Sequence, residues 1–405
     1  MSNIIVVDSI MGSGKTTFCH NEMLKDTSKK YIYITPYLDE IKRLIGEKDN
    51  RTQFYTERGF REPLHLGEGK LHSLHELLIN ENNIVTTHAL FRKSTLETVE
   101  LISTGEYTLM LDEALDVVDI FDLACQDYDM LLNNKLIEEQ DKGLIKWVDE
   151  NYDGKFIDFK RLCQNGTVAK IKRSAKVQLL AWNFSSELFK AFKEVYIFTY
   201  LFESSYMKYY FDMNNIEYEK HTIQDNSLIP FSKKKPYNKQ NIKESINIYN
   251  GNLNNLGDKE TALSMNWFKN YPALRTKLKN NLYNYLHNIQ EAKSNTIIWT
   301  TFKSTKKHLS GAGYTRRFIP LNTRATNEYK NCNNIAYCCN RFMSPDYVEY
   351  FRINNVTVDE DLFALSELIQ WIWRSAIRDG KPINLYIPSS RMRNILINWL
   401  NNENI

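Results

Sequence analysis

Residues 6–18, "VVDSIMGSGKTTF", place two glycines, a lysine and two threonines directly after an apolar run. In such a loop, backbone N–H groups and the positive end of the following helix can surround phosphate oxygens. The usual phosphate-loop pattern, G-x-x-x-x-G-K-[ST], has a glycine where this chain has Ser9, which we interpret as a tolerated small residue at the loop's entrance. The predicted nucleotide-binding residues are Gly12, Ser13, Gly14, Lys15, Thr16 and Thr17.

The residue types of this loop have separate tasks. Gly12 and Gly14 let the backbone approach the phosphates in conformations that other residues rarely adopt. Lys15 would reach the β- and γ-phosphate oxygens, and the Thr16 hydroxyl would hold Mg²⁺. The loop therefore predicts a site for ATP and magnesium.

A pair of carboxylates follows a second apolar run, in residues 108–115, "TLMLDEAL". Asp112, at the end of a strand, would complete the magnesium site, and Glu113 would orient or deprotonate the attacking water. Acidic pairs are common at strand ends. Behind a phosphate loop in an alternating chain, however, this pair favours nucleotide hydrolysis.

The elements that must position these residues alternate between strand-like and helix-like runs. The runs "IIVVD", "KKYIYITP", "NNIVTTHALF" and "YTLMLDEAL" are typical of strands, and helix-forming segments separate them. This alternation predicts an α/β fold class with a parallel sheet and helices on both faces. A second α/β block begins at "NTIIWTTF" and includes "NNIAYC", a long helix and "INLYIP".

These blocks suggest three regions. The first domain would comprise residues 1–225, with a mostly helical, charge-rich insertion at about 122–192. Residues 226–292 would form a polar connecting segment followed by an amphipathic helical region. Residues 293–405 would form the second domain.

Composition sets the class of protein. With 405 residues, of which 42% are apolar and 25% charged, the chain should be globular with a sizeable core. The formal net charge is only +3, so any nucleic-acid site must be a local basic stripe. We expect a cytoplasmic protein, because there is no long apolar run, no signal peptide and no zinc-like cysteine spacing.

The phosphate loop followed by "DEAL" resembles the DExx-box helicases of superfamily 2, especially the helicase-like proteins of bacteriophages, and the resemblance extends over most of the chain. It implies two RecA-like domains and several elements near a nucleic-acid track. "YITPYLDEIKR" is similar to the motif that contacts the nucleic-acid backbone, and "IVTTHALF" to the element after it. "IFTYLFESS" lies where hydrolysis is coupled to strand movement, with Thr199 and Ser204 as its polar members. The residues that the resemblance places on nucleic acid in this domain are Thr35, Pro36, Thr87 and His88.

The second block carries the remaining motifs of the resemblance. "WTTFKST", with Thr301, and "NTRATNEY", with Thr326 and Asn327, are similar to further nucleic-acid-contacting elements. "QWIWRSAIRDG" is similar to the helix whose arginines reach the γ-phosphate. Gln370 and Arg374 are four residues apart, so we expect them to share a helix face that Arg378 continues. The helicase family places its second arginine seven residues after the glutamine and this chain eight, so either arginine is a candidate arginine finger.

The resemblance implies an ATP- and Mg²⁺-dependent helicase or translocase. Its partners would be single-stranded DNA or a fork, with RNA as an alternative, and replication proteins. Two other interpretations stay open: an ATP-switched DNA-binding or loading factor with little turnover, and a motor of the packaging type. A nucleic-acid-stimulated ATPase assay separates the first alternative from the helicase.

Overall fold

The structure is a computed structural model, and it describes residues 3–46, 58–65, 67, 69–234, 239–323 and 328–402. The chain forms two compact units, and both are discontinuous in sequence. The first unit comprises Met1–Lys234 and Ser344–Val358, and the second comprises Lys235–Met343 and Asp359–Ile405. Residues 344–358, which the sequence analysis assigns to the second domain, therefore pack with the first unit.

The strands and helices are short, as is usual for α/β proteins. The strands are β1 (Asn3–Asp8), β2 (Tyr31–Thr35), β3 (Ile84–Thr87), β4 (Thr108–Asp112), β5 (Val118–Ala124), β6 (Ile137–Glu139), β7 (Leu144–Trp147), β8 (Gly166–Arg173), β9 (Val177–Phe184), β10 (Glu194–Thr199), β11 (Glu219–Gln224), β12 (Ser227–Pro230), β13 (Ile246–Ile248), β14 (Ile297–Thr300), β15 (Asn334–Tyr337) and β16 (Ile383–Tyr386). The α-helices are α1 (Lys15–Lys25), α2 (Leu38–Leu44), α3 (Lys70–Ile79), α4 (His88–Phe91), α5 (Leu96–Gly105), α6 (Cys125–Asn133), α7 (Ile157–Asn165), α8 (Ser186–Lys190), α9 (Tyr206–Met213), α10 (Gln240–Ser245), α11 (Met265–Asn270), α12 (Pro272–Tyr283), α13 (Lys306–Leu309), α14 (Pro345–Ile353), α15 (Glu360–Ile372) and α16 (Ser390–Asn401).

The main sheet of the first unit has seven strands in the order β12-β11-β1-β10-β4-β2-β3. All neighbouring pairs are parallel except β11 and β12. Its central strands are buried almost throughout, as expected for a sheet covered on both faces. Val7, Cys19, Met23 and Tyr33 share one buried cluster, which packs α1 onto the sheet. The prediction of a parallel α/β sheet is confirmed here.

The segment predicted to be a helical insertion is instead a second sheet. Strands β5 to β9 form a five-stranded antiparallel sheet in the order β5-β9-β8-β7-β6, which we call the middle sheet. Between the strands of this sheet, the helices longer than one turn are α6 and α7. The prediction of a mostly helical insertion at 122–192 is therefore wrong. The sheet depends on pairs such as Val118 with Asn183, which are distant in sequence and invisible to local periodicity.

The returning segment, residues 344–358, packs through aromatic side chains on α14. Phe351 is fully buried, and its ring centroid lies 5.3 Å from that of Tyr209 on α9. The Tyr350 hydroxyl, also buried, accepts a 2.7 Å hydrogen bond from the Asn183 side-chain amide of the middle sheet. This helix is therefore a structural part of the first unit, although both chain neighbours belong to the second.

The second unit is built on a four-stranded parallel sheet in the order β13-β16-β15-β14. The strands predicted from "NTIIWTTF", "NNIAYC" and "INLYIP" are β14, β15 and β16. Strand β13 adds an edge from residues that the sequence analysis treats as a connection. Both units thus contain parallel sheets, as predicted.

The helix predicted to carry Gln370, Arg374 and Arg378 on one face ends earlier. Helix α15 stops at Ile372, where the Ser375 hydroxyl donates a 2.7 Å hydrogen bond to the Ile372 carbonyl. Arg378 lies in a separate 3₁₀ turn. The expectation of a shared helix face is therefore wrong, because the backbone leaves the helix before either arginine.

Candidate nucleotide site

Polar residues of three neighbouring strands meet at the carboxyl edge of the main sheet. Asp8, the last residue of β1, is paired with Thr199, the last residue of β10, and Phe198 is paired with Asp112 at the end of β4. One strand, β10, thus separates the phosphate-loop strand from the strand that carries the acidic pair. Ligands of open α/β sheets bind at this edge, because loops and helix N-termini converge there.

The phosphate loop has the backbone that its glycines predict. Gly12 and Gly14 have φ angles of +80° and +82°, and no atom lies within 4 Å of where a Cβ would sit on either. Glycine is therefore required by conformation and leaves open space above the loop. Gly14 is the N-cap of α1, and no side chain caps this helix end. The first N–H groups of α1 are thus available to an anion.

Lys15 is directed back into its own loop. Its ammonium donates hydrogen bonds to the carbonyl oxygens of Ser9, at 2.5 Å, and Ile10, at 3.1 Å. Burial lowers the pKa of Lys15 to about 8, although nearby carboxylates, above all Asp8, act to raise it. Even so, the side chain is mostly protonated at pH 7 and suited to an anionic ligand.

Ser9 has a structural task that the loop pattern does not reveal. Its hydroxyl is buried, lies 2.9 Å from the Thr222 hydroxyl and accepts a 2.7 Å hydrogen bond from the N–H of Ile223. Both partners belong to β11, beside β1. Serine in place of the usual glycine therefore fastens the entrance of the loop to the neighbouring strand. The sequence carries no signal for this role, because the partners are more than 200 residues away.

Asp8 is a functional candidate that the sequence analysis did not single out. Its buried carboxylate accepts hydrogen bonds from the backbone N–H groups of Leu201, at 2.8 Å, and Phe202, at 3.1 Å. It also lies 3.1 Å from the ammonium of Lys220. Leu201 has a φ angle of +57°, which is rare for a leucine, so Asp8 stabilises a strained turn after β10. This turn contains Ser204, whose hydroxyl donates to the Leu201 carbonyl at 2.6 Å.

The two carboxylates of the acidic pair have different surroundings. The Thr35 hydroxyl donates a 3.3 Å hydrogen bond to Asp112 Oδ2, and His88 Nε2 lies 3.1 Å from the Asp112 carbonyl oxygen. Burial raises the pKa of Asp112 to about 7, and the charges of Glu113 and Glu40 add to this effect. A nearby cation would stabilise the charged form of this carboxylate, which is the form that binds magnesium.

Glu113 has an unusual backbone. Its φ angle is +71°, in the left-handed region, and its N–H donates a 2.9 Å hydrogen bond to the Phe198 carbonyl. Its side chain accepts a hydrogen bond from the Tyr37 hydroxyl. A non-glycine residue in this conformation is strained, and such strain is common at functional sites.

The residues predicted to contact nucleic acid in the first unit fall into two groups. Thr35 and His88 are buried, and both support Asp112. Pro36 is partly exposed, and Thr87 caps α4 by accepting a 3.2 Å hydrogen bond from the N–H of Leu90. Contact of these residues with nucleic acid stays a prediction.

In the second unit, the predicted residues differ in exposure. Thr301 is fully buried, and its hydroxyl lies 2.9 Å from that of Thr305. Thr326 and Asn327 lie outside the described residues. Gln370 is exposed, and its amide donates a 3.2 Å hydrogen bond to the Ser366 hydroxyl.

The two candidate arginines also differ. Arg374 is 7% exposed, with a guanidinium nitrogen 3.5 Å from the Leu321 carbonyl oxygen. Arg378 is exposed on its 3₁₀ turn. The roles of Gln370 and of both arginines stay predictions.

Three features fit a nucleoside triphosphate with magnesium. The loop offers open space above Gly12 and Gly14, the end of α1 has no side-chain cap, and the buried Ser13 hydroxyl has no hydrogen-bond partner. Among the described residues, no group of three or more His, Cys, Asp or Glu side chains is suited to a metal. A magnesium ion at this site would use Thr16, Asp112 and phosphate oxygens, which is the mixed ligand set that Mg²⁺ commonly has.

Comparison with known proteins defines the family. Residues 240–400 match a family model described as the YonV C-terminal Rossmann-like domain, and residues 118–182 match the YonV middle domain. The second match covers most of the middle sheet.

Two further comparisons align with nearly the whole chain. A structure titled "Structure of S. tokodaii Xpd4" has a TM-score of 0.49 and 10% sequence identity, over 98% of this chain and 94% of that one, which is too distant to indicate an activity. Within the described part of the chain, no helix has the length and apolar character needed to cross a membrane. The chain is 44% identical over 421 aligned positions, covering all of both proteins, to a Bacillus subtilis (strain 168) protein described as "SPbeta prophage-derived uncharacterized protein YonV". By this similarity, the chain belongs to the YonV family.

Proposed function

We propose that this protein is an ATP-dependent nucleic-acid translocase or helicase, which acts on DNA in phage-type replication or recombination in the host cytoplasm. One observation carries the proposal: the phosphate loop and the Asp112–Glu113 pair lie at the same carboxyl edge of a parallel sheet, separated by β10 alone. The prophage origin of the relative and the order of the sequence motifs support the proposal that the protein acts on nucleic acid.

The residues of the first unit would divide the work of hydrolysis. Lys15 and the N–H groups of the loop and α1 would hold the phosphates, and Thr16 and Asp112 would hold magnesium. Bound ATP and magnesium would supply the γ-phosphoryl group and the charge that stabilises its transfer to water. Glu113 would orient that water and accept its proton.

The second unit would contribute an arginine, in line with the motif order of superfamily 2. We favour Arg378 over Arg374, because an exposed guanidinium on a turn can reach an external phosphate, whereas Arg374 is buried. An arginine finger stabilises charge only in the transition state. Arg378→Ala should therefore lower kcat far more than it weakens ATP binding.

The direct test is nucleotide binding by Lys15→Ala, measured by calorimetry with ATP and magnesium. Loss of a charged contact to the phosphates should weaken binding at least about tenfold. The matched control is Lys25→Ala, at the other end of α1, where the lysine pairs with Glu22 on the surface. Equal binding by Lys15→Ala and the unaltered protein would show that the site is assigned wrongly.

Turnover separates the helicase from its alternatives. ATP hydrolysis should rise with single-stranded DNA, duplex, fork or RNA, and the preferred polymer identifies the track. ATP binding with negligible turnover would instead favour an ATP-switched loading factor. Turnover stimulated only by long duplex, without unwinding, would favour a packaging-type motor.

A further inference from the structure

One turn of the main sheet contacts both carboxylates of the acidic pair. It comprises residues 35–37, between β2 and α2, and we call it the 35–37 turn. Its first residue, Thr35, donates a hydrogen bond to Asp112, and its last, Tyr37, donates one to Glu113 Oε1. The Tyr37 N–H in turn lies 3.4 Å from the Thr35 hydroxyl oxygen. The turn and the acidic pair therefore form one hydrogen-bonded group.

The other side of the turn faces outward. Pro36 and Tyr37 are partly exposed, and Leu38, which follows them, is 61% exposed. The partly exposed ring of Tyr37 can stack on an unpaired base, and the neighbouring Pro36 and Leu38 add apolar surface beside it. The turn thus has one side on the hydrolytic carboxylates and the other at the surface.

The bond from Tyr37 affects what Glu113 can do. A general base needs a free carboxylate lone pair directed at the water that it deprotonates. The phenol occupies one oxygen of Glu113, while the strained backbone and the hydrogen bond to Phe198 restrict where the side chain can turn. Release of Tyr37 would return that oxygen to the base.

We propose that Tyr37 is a positioning residue that restrains Glu113, and that binding of single-stranded nucleic acid to the 35–37 turn and Leu38 releases it. This inference rests on the proposed function and adds its regulation, namely how nucleic acid stimulates ATP hydrolysis. No residue of the turn needs to touch the nucleotide for this coupling.

The test is Tyr37→Phe, which keeps the ring and removes the hydroxyl. ATP turnover without nucleic acid should rise roughly tenfold, equivalent to about 1.4 kcal/mol in the barrier. The KM for ATP should stay the same, and stimulation by oligothymidylate should shrink by the same factor. Tyr31→Phe is the matched control, because that hydroxyl on β2 lies 3.4 Å from the Glu22 carbonyl oxygen and away from the acidic pair.

A second background shows whether the effect passes through Glu113. In Glu113→Gln, the additional Tyr37→Phe change should have no effect on residual turnover or on stimulation. An unchanged or lower basal turnover in Tyr37→Phe, with full stimulation, would overturn the inference, and so would an equal response in the Glu113→Gln background. If calorimetry finds that the unaltered protein binds no ATP, the proposed function itself fails. If the protein binds ATP but its turnover does not depend on Tyr37, only the present inference fails.

Discussion

Two serines of the phosphate loop, four residues apart, have opposite surroundings. The Ser9 hydroxyl contacts Thr222 and Ile223 of β11, whereas the Ser13 hydroxyl is buried without a hydrogen-bond partner. A buried hydroxyl without a partner costs free energy unless a ligand or water satisfies it. Ser9 therefore serves the fold, and Ser13 is placed to serve a ligand.

Removing these hydroxyls should separate the two roles. Ser9→Ala should lower the free energy of unfolding by about 1–3 kcal/mol, because it leaves the Ile223 N–H buried and unpaired. Ser13→Ala, in the same loop, should leave stability within about 0.5 kcal/mol. Urea denaturation measures both. A Ser9→Ala protein as stable as Ser13→Ala would contradict the anchoring role.

The acidic pair should make stability depend on pH. The pKa of Asp112 is raised from its ordinary value of 3.8 to about 7, mainly by burial. The neutral carboxyl is thus preferred in the folded state, and its contribution to stability is complete below about pH 4 and lost as the pH rises through about 7. The folded state therefore disfavours the charged form of Asp112, which is the form that binds magnesium.

Asp112→Asn should remove this dependence. In the absence of nucleotide and magnesium, the variant should melt close to the unaltered protein near pH 4 and increasingly above it as the pH rises to 8. Thermal melting at several pH values measures the difference, with Asp122→Asn, an exposed carboxylate of β5, as the control. If the difference in melting temperature between the two proteins does not change with pH, the surroundings of Asp112 do not destabilise its charged form.

At the scale of elements, the returning helix α14 shows how neighbours in sequence can belong to different units. Its aromatic face is buried against α9 and the middle sheet, through Phe351 and Tyr350. The free energy of this packing belongs to the first unit. Its strands and phosphate loop thus fold together with a segment from the other end of the chain.

Truncation of the buried aromatic should therefore destabilise the first unit. Phe351→Ala should cost about 3–5 kcal/mol, as is usual for a buried phenylalanine. Arg352→Ala, exposed on the same helix and paired with Glu349, should have a much smaller effect. Hydrogen exchange in β1 and α1 monitors the first unit directly. Unchanged protection there in Phe351→Ala would contradict the assignment of α14 to this unit.

At the scale of the whole molecule, the middle sheet is built as a separable insertion. Its chain enters and leaves at Val118 and Asn183, which lie opposite one another in an antiparallel pair. The described contacts of the nucleotide site come from other parts of the chain. We therefore retain the middle sheet, rather than a helical insertion, as the candidate wedge or partner platform of the proposed helicase.

Excision of residues 119–182, with an Asn-Gly turn closing the gap, should test this separation. Affinity for ATP and magnesium should change less than about threefold, because no phosphate or magnesium contact is removed. Unwinding should be lost while ATPase activity is retained. Circular dichroism verifies folding, and unwinding at the rate of the full chain would exclude the wedge role.

The sequence alone predicted the elements whose signal is local. The phosphate loop, the strands β1 to β4 and β14 to β16, and the acidic pair are each defined by residues within about ten positions. Buried parallel strands are short continuous apolar runs, and a phosphate loop needs its glycines because of its own φ angles. Both patterns can be recognised from residues that are adjacent in sequence.

Only the tertiary structure decided what those elements contact. The middle sheet requires β5 to meet β9, Ser9 requires a partner 213 residues away, and Tyr37 meets Glu113 across 76 residues. The end of α15 before Arg374 likewise depends on its surroundings, since the N–H of Ala376 is bonded to Cys332. Local spacing determines which residues share a turn or a strand. Hydrogen bonds between distant segments form only after the chain has folded, and here they determine which side chains face the site.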